Sequence, residues 1–406
     1  MGSAVPGMLS VEEALQRVLE GLDPAPVEHV ALGEALDRVL AEDLTARLTQ
    51  PPFDASAMDG YALRAADAAR VPATLKVIGT SAAGHPFEGV VGPGEAVRIF
   101  TGGELPEGAD AVVIQEDTEA EGNRVTIREA PVAGQHVRPA GFDFRRGEVL
   151  LRSGRKLGPR DLALAAAMNH GAVPVRRKPK VAILATGDEL VPVGEEPGPG
   201  QIISSVPHGL APLVARAGGQ PELLGIACDE RRSLAEHLGR ADDAELVVTI
   251  GGASVGDHDL VQDALLERGV EMGFWKIAMR PGKPLMYGRR GAQRFIGLPG
   301  NPVSALICTR IFIVPMLERM LALSGAPAGE MTVTLGAAVA KNGPRQQYMR
   351  ATLTCTPSGE RVATPVETQD SSLLSALAKA DCLIVRPPHA AALEAGAAVS
   401  ALPLDF

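Results

Sequence analysis

The chain has 406 residues, 46% of them hydrophobic and 22% charged. This is more than one hydrophobic core usually organises and far from a disordered composition, so roughly two to four domains are expected. No apolar run approaches the roughly 18 residues of a membrane span, and no basic region followed by an apolar stretch opens the chain, which points to a cytoplasmic protein with no membrane partner. A formal net charge of -10 argues against a nucleic-acid partner, whose phosphates require Lys and Arg. An anionic substrate would need a locally basic pocket.

Residues 1–7, ahead of the second methionine Met8, read as a tag remnant or an alternative start and are left out of fold reasoning. Ser10 and Glu13 have capping-box spacing, and Val11, Leu15, Val18, Leu19 and Leu22 recur at helical spacing, which predicts an amphipathic helix ending near Gly21. From 75 to 127 the pattern changes to short β-rich pieces, at 75–78, 96–100 and 111–114, separated by Gly and Pro turns. Pro159 sits where a first helical position falls, and the Ala/Leu-rich run 161–168 predicts a second helix, expected to pack with the first. The β domain then reads as an insertion in a discontinuous N-terminal element.

After the basic, proline-bearing stretch 176–179, apolar strands at 181–185, 223–226 and 246–250 alternate with helical patterns near 209–217, 231–240 and 260–268. This alternation predicts a doubly wound, mostly parallel α/β domain with its chemistry at the carboxyl ends of the strands. Asn301 as cap and Pro302 at the first turn open a long helix that Pro315 should kink. Strands at 331–335, 348–354 and 382–385 then give a β-rich C-terminal domain. The domain reading is 8–50 with 145–177, 51–144, 178–327 and 328–406, an α/β plus β multidomain chain. The four cysteines, Cys228, Cys308, Cys355 and Cys382, show no C-x-x-C spacing and read as buried free thiols.

Four segments carry candidate chemistry in the α/β region. ATGDEL (185–190) follows a strand and sets Asp188 and Glu189 at its edge, where carboxylates either hold a magnesium ion or serve the turn. GGASVGDHD (251–259) is a glycine-rich turn, either an anion-binding concavity or a tight turn, with Asp257 and Asp259 beside it. Residues 275–284 put Lys276, Arg280 and Lys283 on a proline-stiffened loop suited to oxyanions. GLPGNPVSA (297–305) leads into a helix N-terminus. No Cys-His or Ser-His-Asp arrangement is legible, so covalent catalysis has no visible support. In the N-terminal half PPFDASAMDGYA (51–62) reads alone as a loop, with Asp59 a turn former as easily as a ligand.

These segments, with RIFTGGELPEGAD (98–110) and in this order, resemble the molybdopterin molybdenumtransferase family, to which the C-terminal domain of gephyrin also belongs. The likeness runs from about Ser10 to the C-terminus. It implies an elongated homodimer with four domains per subunit, in which the α/β domain of one chain faces the N-terminal half of its partner. It implies as substrates molybdate and adenylylated molybdopterin, with insertion of molybdenum at the dithiolene and release of AMP, assisted by Mg2+. On the family's functional positions stand Glu189, Asp229 and Asp259, which would hold magnesium or orient the attacking group. Gly251, Gly252, Ser254, Lys276, Arg280, Lys283, Pro299 and Pro302 would bind substrate. Asp59, Thr101, Arg138 and Asp143 of the N-terminal half, and Arg350 and Ser371 of the C-terminal domain, occupy matching positions. Each of these six would either serve the site or maintain interdomain geometry.

Two departures stand out: Arg280 where many relatives carry lysine, and Val206 in place of an asparagine, which leaves the segment 201–206 out of the expected site. A molybdopterin adenylyltransferase would supply the substrate and molybdenum-cofactor apoenzymes would receive the product. The rival readings are the adenylyltransferase itself, whose single α/β domain resembles 178–325 but goes with a different glycine turn, and a non-catalytic cofactor scaffold.

Overall fold

The computed structural model describes residues 8–252, 260–325 and 329–404. The chain divides into two compact units, one built from residues before 29, residues 37–41 and residues from 175 onward, the other from 29–36 and 42–174.

Helix α1 (Val11–Leu19) begins as the sequence predicts. The Ser10 hydroxyl accepts the Glu13 N–H at 3.1 Å and the Glu13 carboxylate accepts the Ser10 N–H at 2.9 Å, satisfying two otherwise orphaned donors. Its buried residues Val11, Ala14 and Val18 lie on one face.

The unit spanning 42–174 centres on a six-stranded sheet. After the short β1 (Ala55–Ser56) come β2 (Gly60–Leu63), β3 (Ala73–Ser81), β4 (Glu95–Ile99), β5 (Ala111–Ile114), β6 (Thr118–Glu121) and β7 (Arg124–Ile127), in the spatial order β5-β2-β4-β3-β7-β6. All neighbours are antiparallel except β3 with β4. Leu63, Leu75, Ala96, Val113 and Ile127 fill its core. The short β8 (Val137–Arg138) pairs with β1, and Leu44–Thr45 pairs with Val149–Leu151, so residues on both sides of the sheet return to each other. Helix α2 (Pro159–Ala167) starts with Pro159 in its first turn and with Asp161 accepting the Gly158 N–H at 2.9 Å.

The second sheet is built from β9 (Lys180–Thr186), β10 (Gln220–Ala227), β11 (Leu246–Ile250), β12 (Glu271–Lys276), β14 (Pro284–Arg290) and β15 (Gln293–Leu298), with the two-residue β13 (Met279–Arg280) between β12 and β14. Its order is β10-β9-β11-β15-β14-β12. The first three neighbour pairs are parallel and the last two antiparallel, because β12, β14 and β15 follow one another through turns too short for a crossover. Alternate residues point to opposite faces. Val181, Ile183 and Val248 meet α3 (Val206–Arg216) through Leu210 and Val214. Ala182, Leu184 and Val247 meet α4 (Arg231–Gly239) and α5 (Leu260–Glu267) through Leu234, Leu238 and Leu265. The sheet is therefore covered on both faces.

The expected long helix after Asn301 is three pieces: α6 (Pro302–Cys308), a π-turn at Thr309–Ile313 and α7 (Val314–Met320). Pro315 has no N–H to give its preceding turn, and the widened turn lies directly ahead of it. The expected packing of α1 with α2 is corrected here. The apolar face of α1 lies on α7, where Val11, Ala14, Val18 and Leu22 share a core with Ile313, Leu317 and Met320. Arg294, 3% exposed, completes this docking by donating to the Gly21 carbonyl at 2.7 Å, beyond the end of α1. Helix α2 belongs to the other unit.

The C-terminal strands β16 (Met331–Leu335), β17 (Gln346–Cys355), β18 (Arg361–Pro365), β19 (Cys382–Arg386) and β20 (Ala398–Pro403) run in the order β17-β18-β16-β20-β19, and β19 pairs back onto β17, closing a small barrel. Val333, Leu335, Ala351, Ile384 and Ala401 fill it. Strand β13 pairs with β17, so Met279 and Arg280 lie beside Gln346 and Gln347. None of the four cysteines is paired. Cys308 and Cys382 are buried as expected, but Cys228 and Cys355 are exposed, because one follows a sheet edge and the other ends a strand that runs out of the barrel.

Candidate active site

A cleft of about 590 Å³ opens at the carboxyl ends of β9, β11 and β15. Open α/β sheets bind ligands at the carboxyl ends of their strands, and the elements explain why. Strand β9 ends in Thr186-Gly187, after which the chain turns and carries Asp188 and Glu189 outward. Strand β10 ends one residue before Cys228 and Asp229. Strand β11 ends at Ile250, followed by Gly251 with φ +94°, where a Cβ would stand 2.5 Å from the Thr186 carbonyl oxygen. Only glycine fits so close a backbone approach.

The acidic side of the cleft is held by bonds between turns. Gly187 N–H donates to the Ala227 carbonyl at 3.2 Å, and the Asp229 N–H donates to the Asp188 carboxylate at 3.0 Å. Although Asp229 is exposed as a residue, its carboxylate is partly desolvated. That desolvation first, and then the negative charges of Asp188 and Glu189, push its pKa above the usual carboxylate value, with a backbone hydrogen bond from Asp188 as partial offset. Of the expected metal ligands, Glu189 and Asp229 are thus brought together on the cleft wall, while Asp259, like Ser254, lies outside the described residues. Among the described residues no three or more His, Cys, Asp or Glu side chains gather closely enough to hold a metal ion by themselves, and Asp188, Glu189 and Asp229 are no exception. Asp188, named with Glu189 from the ATGDEL segment alone, is the carboxylate that was not carried onto the family's functional positions.

The opposite wall carries Pro299, Gly300, Asn301 and Pro302. Asn301 occupies the cap position of α6, but its side chain caps nothing and instead donates to the Ser371 hydroxyl at 3.1 Å. Ser371 also accepts the Val303 N–H through its carbonyl at 3.2 Å, so the barrel segment before α6's neighbours is stitched to the cleft rim. Arg350 lies beneath this segment. It is 1% exposed and its guanidinium donates to the Thr368 and Leu373 carbonyls at 3.1 and 3.4 Å. It therefore braces the turn that carries Ser371, and is not displayed on the cleft surface.

The segment 201–206, which the sequence reading set aside, forms a wall of the cleft. Ile202, Ile203, Ser204, Ser205, Val206 and Pro207 all line it, because Ile202 N–H and Ser204 N–H donate to the Glu189 and Val191 carbonyls and lead the chain into α3 at the rim. The missed signal was Pro207 in the first turn of α3, a helix start beside a strand end.

Lys276, Arg280 and Lys283 are not on a free loop. Lys276 ends β12, directly opposite Pro284 of β14, which lines the cleft, and Ile277 N–H donates to the Lys283 carbonyl at 3.1 Å. Arg280 and Lys283 are exposed and Lys276 half-buried, and the three side chains make no ion pair among the described residues.

The other unit holds a second constellation. Asp59 accepts both the backbone N–H and the hydroxyl of Thr101, each at 2.7 Å. The amide bond first, then the hydroxyl bond and the Arg98 charge, hold its carboxyl below the usual range. Ser56 exchanges backbone bonds with Gly102 and Gly103 at 2.9 Å, which brings the Thr101 turn beside β1. Arg138, opposite Ala55 on β8, and Asp143, whose N–H donates to the Gln50 carbonyl, are exposed near the same ribbon.

Residues 9–169 match the MoeA N-terminal region (domain I and II), 182–319 a probable molybdopterin binding domain, and 332–404 the MoeA C-terminal region (domain IV). A molybdopterin molybdenumtransferase of Haemophilus influenzae is 36% identical over 405 residues, covering 98% of this chain and 99% of its own. The chain belongs to the molybdopterin molybdenumtransferase family. Another family member, from Bacillus subtilis, is 35% identical over 97% of the chain and 94% of its own length. Two solved structures of the molybdopterin biosynthesis moeA protein from Pyrococcus horikoshii share the fold, with TM-scores of 0.86 and 0.83 at 32% and 28% identity over 98% and 97% of the chain. The family likeness spans both units, the barrel and the cleft. Among the described residues, no helix is long and apolar enough to cross a membrane.

Proposed function

We propose that the chain inserts molybdenum into adenylylated molybdopterin and releases AMP, acting in molybdenum cofactor biosynthesis. The observation that supports this most is the cleft at the carboxyl ends of the strands, where Glu189 and Asp229 share the lining with Gly251, Gly252, Pro299 and Pro302, while Lys276, Arg280 and Lys283 stand on the strand segments next to Pro284 of that lining, without an ion pair among the described residues. A substrate with a pyrophosphate and an oxyanion co-substrate needs both signs of charge within one pocket.

The donor set fits a hard divalent cation such as Mg2+. Glu189 and Asp229 are oxygen donors, and the repulsion that Asp229 meets from the neighbouring charges of Asp188 and Glu189 would be relieved by a positive ion. When bound, such an ion neutralises phosphate charge on the substrate. Glu189 and Asp229 would hold it. Lys276, Arg280 and Lys283 attract molybdate and the pyrophosphate. Gly251 and Gly252 let backbone N–H groups approach a phosphate, and Pro299 and Pro302 shape the wall where Asn301 and Ser371 orient an oxyanion. The protein acts as a cytoplasmic homodimer in which the Asp59–Thr101 constellation of a second copy, with Arg138 and Asp143, completes the cleft. An adenylyltransferase supplies the substrate, and apoenzymes take the product.

The test is AMP release from purified protein given adenylylated molybdopterin and magnesium, with and without molybdate, beside a control of molybdopterin plus ATP. Molybdate-dependent AMP release is expected. Adenylylated product from ATP would point to the sister transferase, and silence in both arms to a cofactor scaffold.

A further inference from the structure

Asp188 and Asp229 sit on turns that leave two different strands, and both turns carry negative charge toward the same space. Repulsion alone would open that space. Hydrogen bonds between the turns hold it closed: Gly187 N–H to the Ala227 carbonyl at 3.2 Å and Asp229 N–H to the Asp188 carboxylate at 3.0 Å, with the Asp188 backbone in turn donating to the Asp229 carboxylate. The neighbouring amides of the β10–α4 turn are satisfied within it, Cys228 by the Ser233 hydroxyl at 3.1 Å and Glu230 by the Cys228 carbonyl at 2.7 Å. The Asp229 amide is the one that reaches across to the other turn. An amide at such a place must find an acceptor, and the acceptor it finds decides where the residue points.

We propose that Asp188 is a positioning residue for molybdenum insertion: its carboxylate oxygen accepts the Asp229 amide and so sets Asp229 opposite Glu189, and this acceptor, not the negative charge, is its contribution. The inference rests on the proposed cation-assisted reading of the cleft and names a further residue within it. The charge of Asp188 in fact works against the arrangement, since it adds to the repulsion that Asp229 already meets from Glu189. Asparagine offers the same acceptor oxygen without that repulsion, whereas alanine offers neither. A residue that bound the cation directly would behave differently, because replacing a carboxylate by an amide removes its strongest attraction for a hard ion.

The experiment compares the full chain with its Asp188→Asn and Asp188→Ala variants by three measurements. These are Mg2+ binding by calorimetry on the protein alone, amide exchange of the segment containing Asp229, and molybdate-dependent AMP release. Asp188→Asn should stay within about twofold of the parent in all three, and Asp188→Ala should lose about tenfold to a hundredfold in Mg2+ affinity and in AMP release, as partners of metal ligands commonly do. Its Asp229 segment should also exchange faster while the melting temperature is kept. Equal losses in both variants would overturn the proposal and make Asp188 a direct ligand, and an unimpaired Asp188→Ala would overturn it by leaving Asp188 without a role. If the parent chain itself bound no Mg2+, the cation reading would fail on that control, and AMP release by the two variants would still decide between acceptor and charge.

Discussion

Asp59 and Asp229 are both carboxylates on turns beside buried strands, and their surroundings treat them in opposite ways. Asp59 accepts two bonds from Thr101 and is drawn toward ionisation, with its charge already answered by the donors that hold it. Asp229 meets partial desolvation and two like charges, and ionises at a cost that the described residues offset only in part. The difference separates a carboxylate that fixes a turn from one whose charge awaits a partner from outside the chain. Groups perturbed by desolvation and like charge in a cleft are where chemistry is sought, and of the two only Asp229 is shifted in the unfavourable direction.

The largest expected effect follows from removing charge on the unanswered side. Glu189→Gln should lower molybdate-dependent AMP release by about a hundredfold or more, at the upper end of what disturbing a metal site produces, with the far-ultraviolet circular dichroism unchanged. Near-parental turnover would break the comparison, since the crowded carboxylates would then be incidental. On the answered side, Thr101→Val keeps the backbone donor to Asp59 and removes the hydroxyl donor. It should cost less, about threefold to tenfold in AMP release, in line with the loss of one hydrogen bond to a charged group. Asp59→Asn should exceed it, because the anion itself is gone. If the valine variant lost more than the asparagine variant, the Thr101 hydroxyl would have its own contact with substrate.

A smaller effect is expected at Arg280. Its backbone is fixed by pairing with Gln347, and its side chain has no ion pair among the described residues, so the site asks for positive charge near the rim. Arg280→Lys should therefore stay within about tenfold of the parent in the apparent KM for molybdate. A larger loss would show that the planar, bidentate geometry of guanidinium is in use.

Much of the fold was legible because local signals agreed with long-range packing. Ser10 with Glu13, Pro159 with Asp161, and the apolar strands of the α/β domain each state an element that the core then uses. The partner of α1 was not legible, since an apolar stripe says that a helix is buried and leaves open against what; Ile313, Leu317 and Met320 lie some 300 residues away. The β12–β14–β15 antiparallel edge was missed for a related reason, as residues 275–284 read as a cation-bearing loop when strand pairing, not composition, orders them. At the site, charged residues and the glycine and proline turns at Gly251, Gly252, Pro299 and Pro302 were found, and residues whose place depends only on where the chain runs were not. Ser204, Ser205 and Asn301 line the cleft by the path of the chain. Arg350 shows the reverse: its charge marked it for the site, and its burial under the Ser371 turn gives it a bracing task that sequence does not record.

The smallest effect sharpens the comparison through stability alone, without any substrate. Asp229 has a raised pKa in the folded chain, so the folded state holds its proton more tightly than the unfolded state does. The ionised form therefore costs stability, and this cost grows as pH rises from the ordinary value of 3.8 through the raised one. Asp59 is shifted the other way, so its contribution is fully present above 3.8 and is lost as pH falls through the lowered value. In chelator-treated protein, Asp229→Asn should gain melting temperature relative to the parent as pH is raised from about 4 to 7, whereas the deficit of Asp59→Asn should stay level across that interval and shrink only as pH falls below 3.8. Adding Mg2+ to the parent should remove the advantage of Asp229→Asn, because the ion then supplies what the chain withholds. Parallel melting curves for the two variants across that range would show that the contrast between the two carboxylates carries no energetic weight.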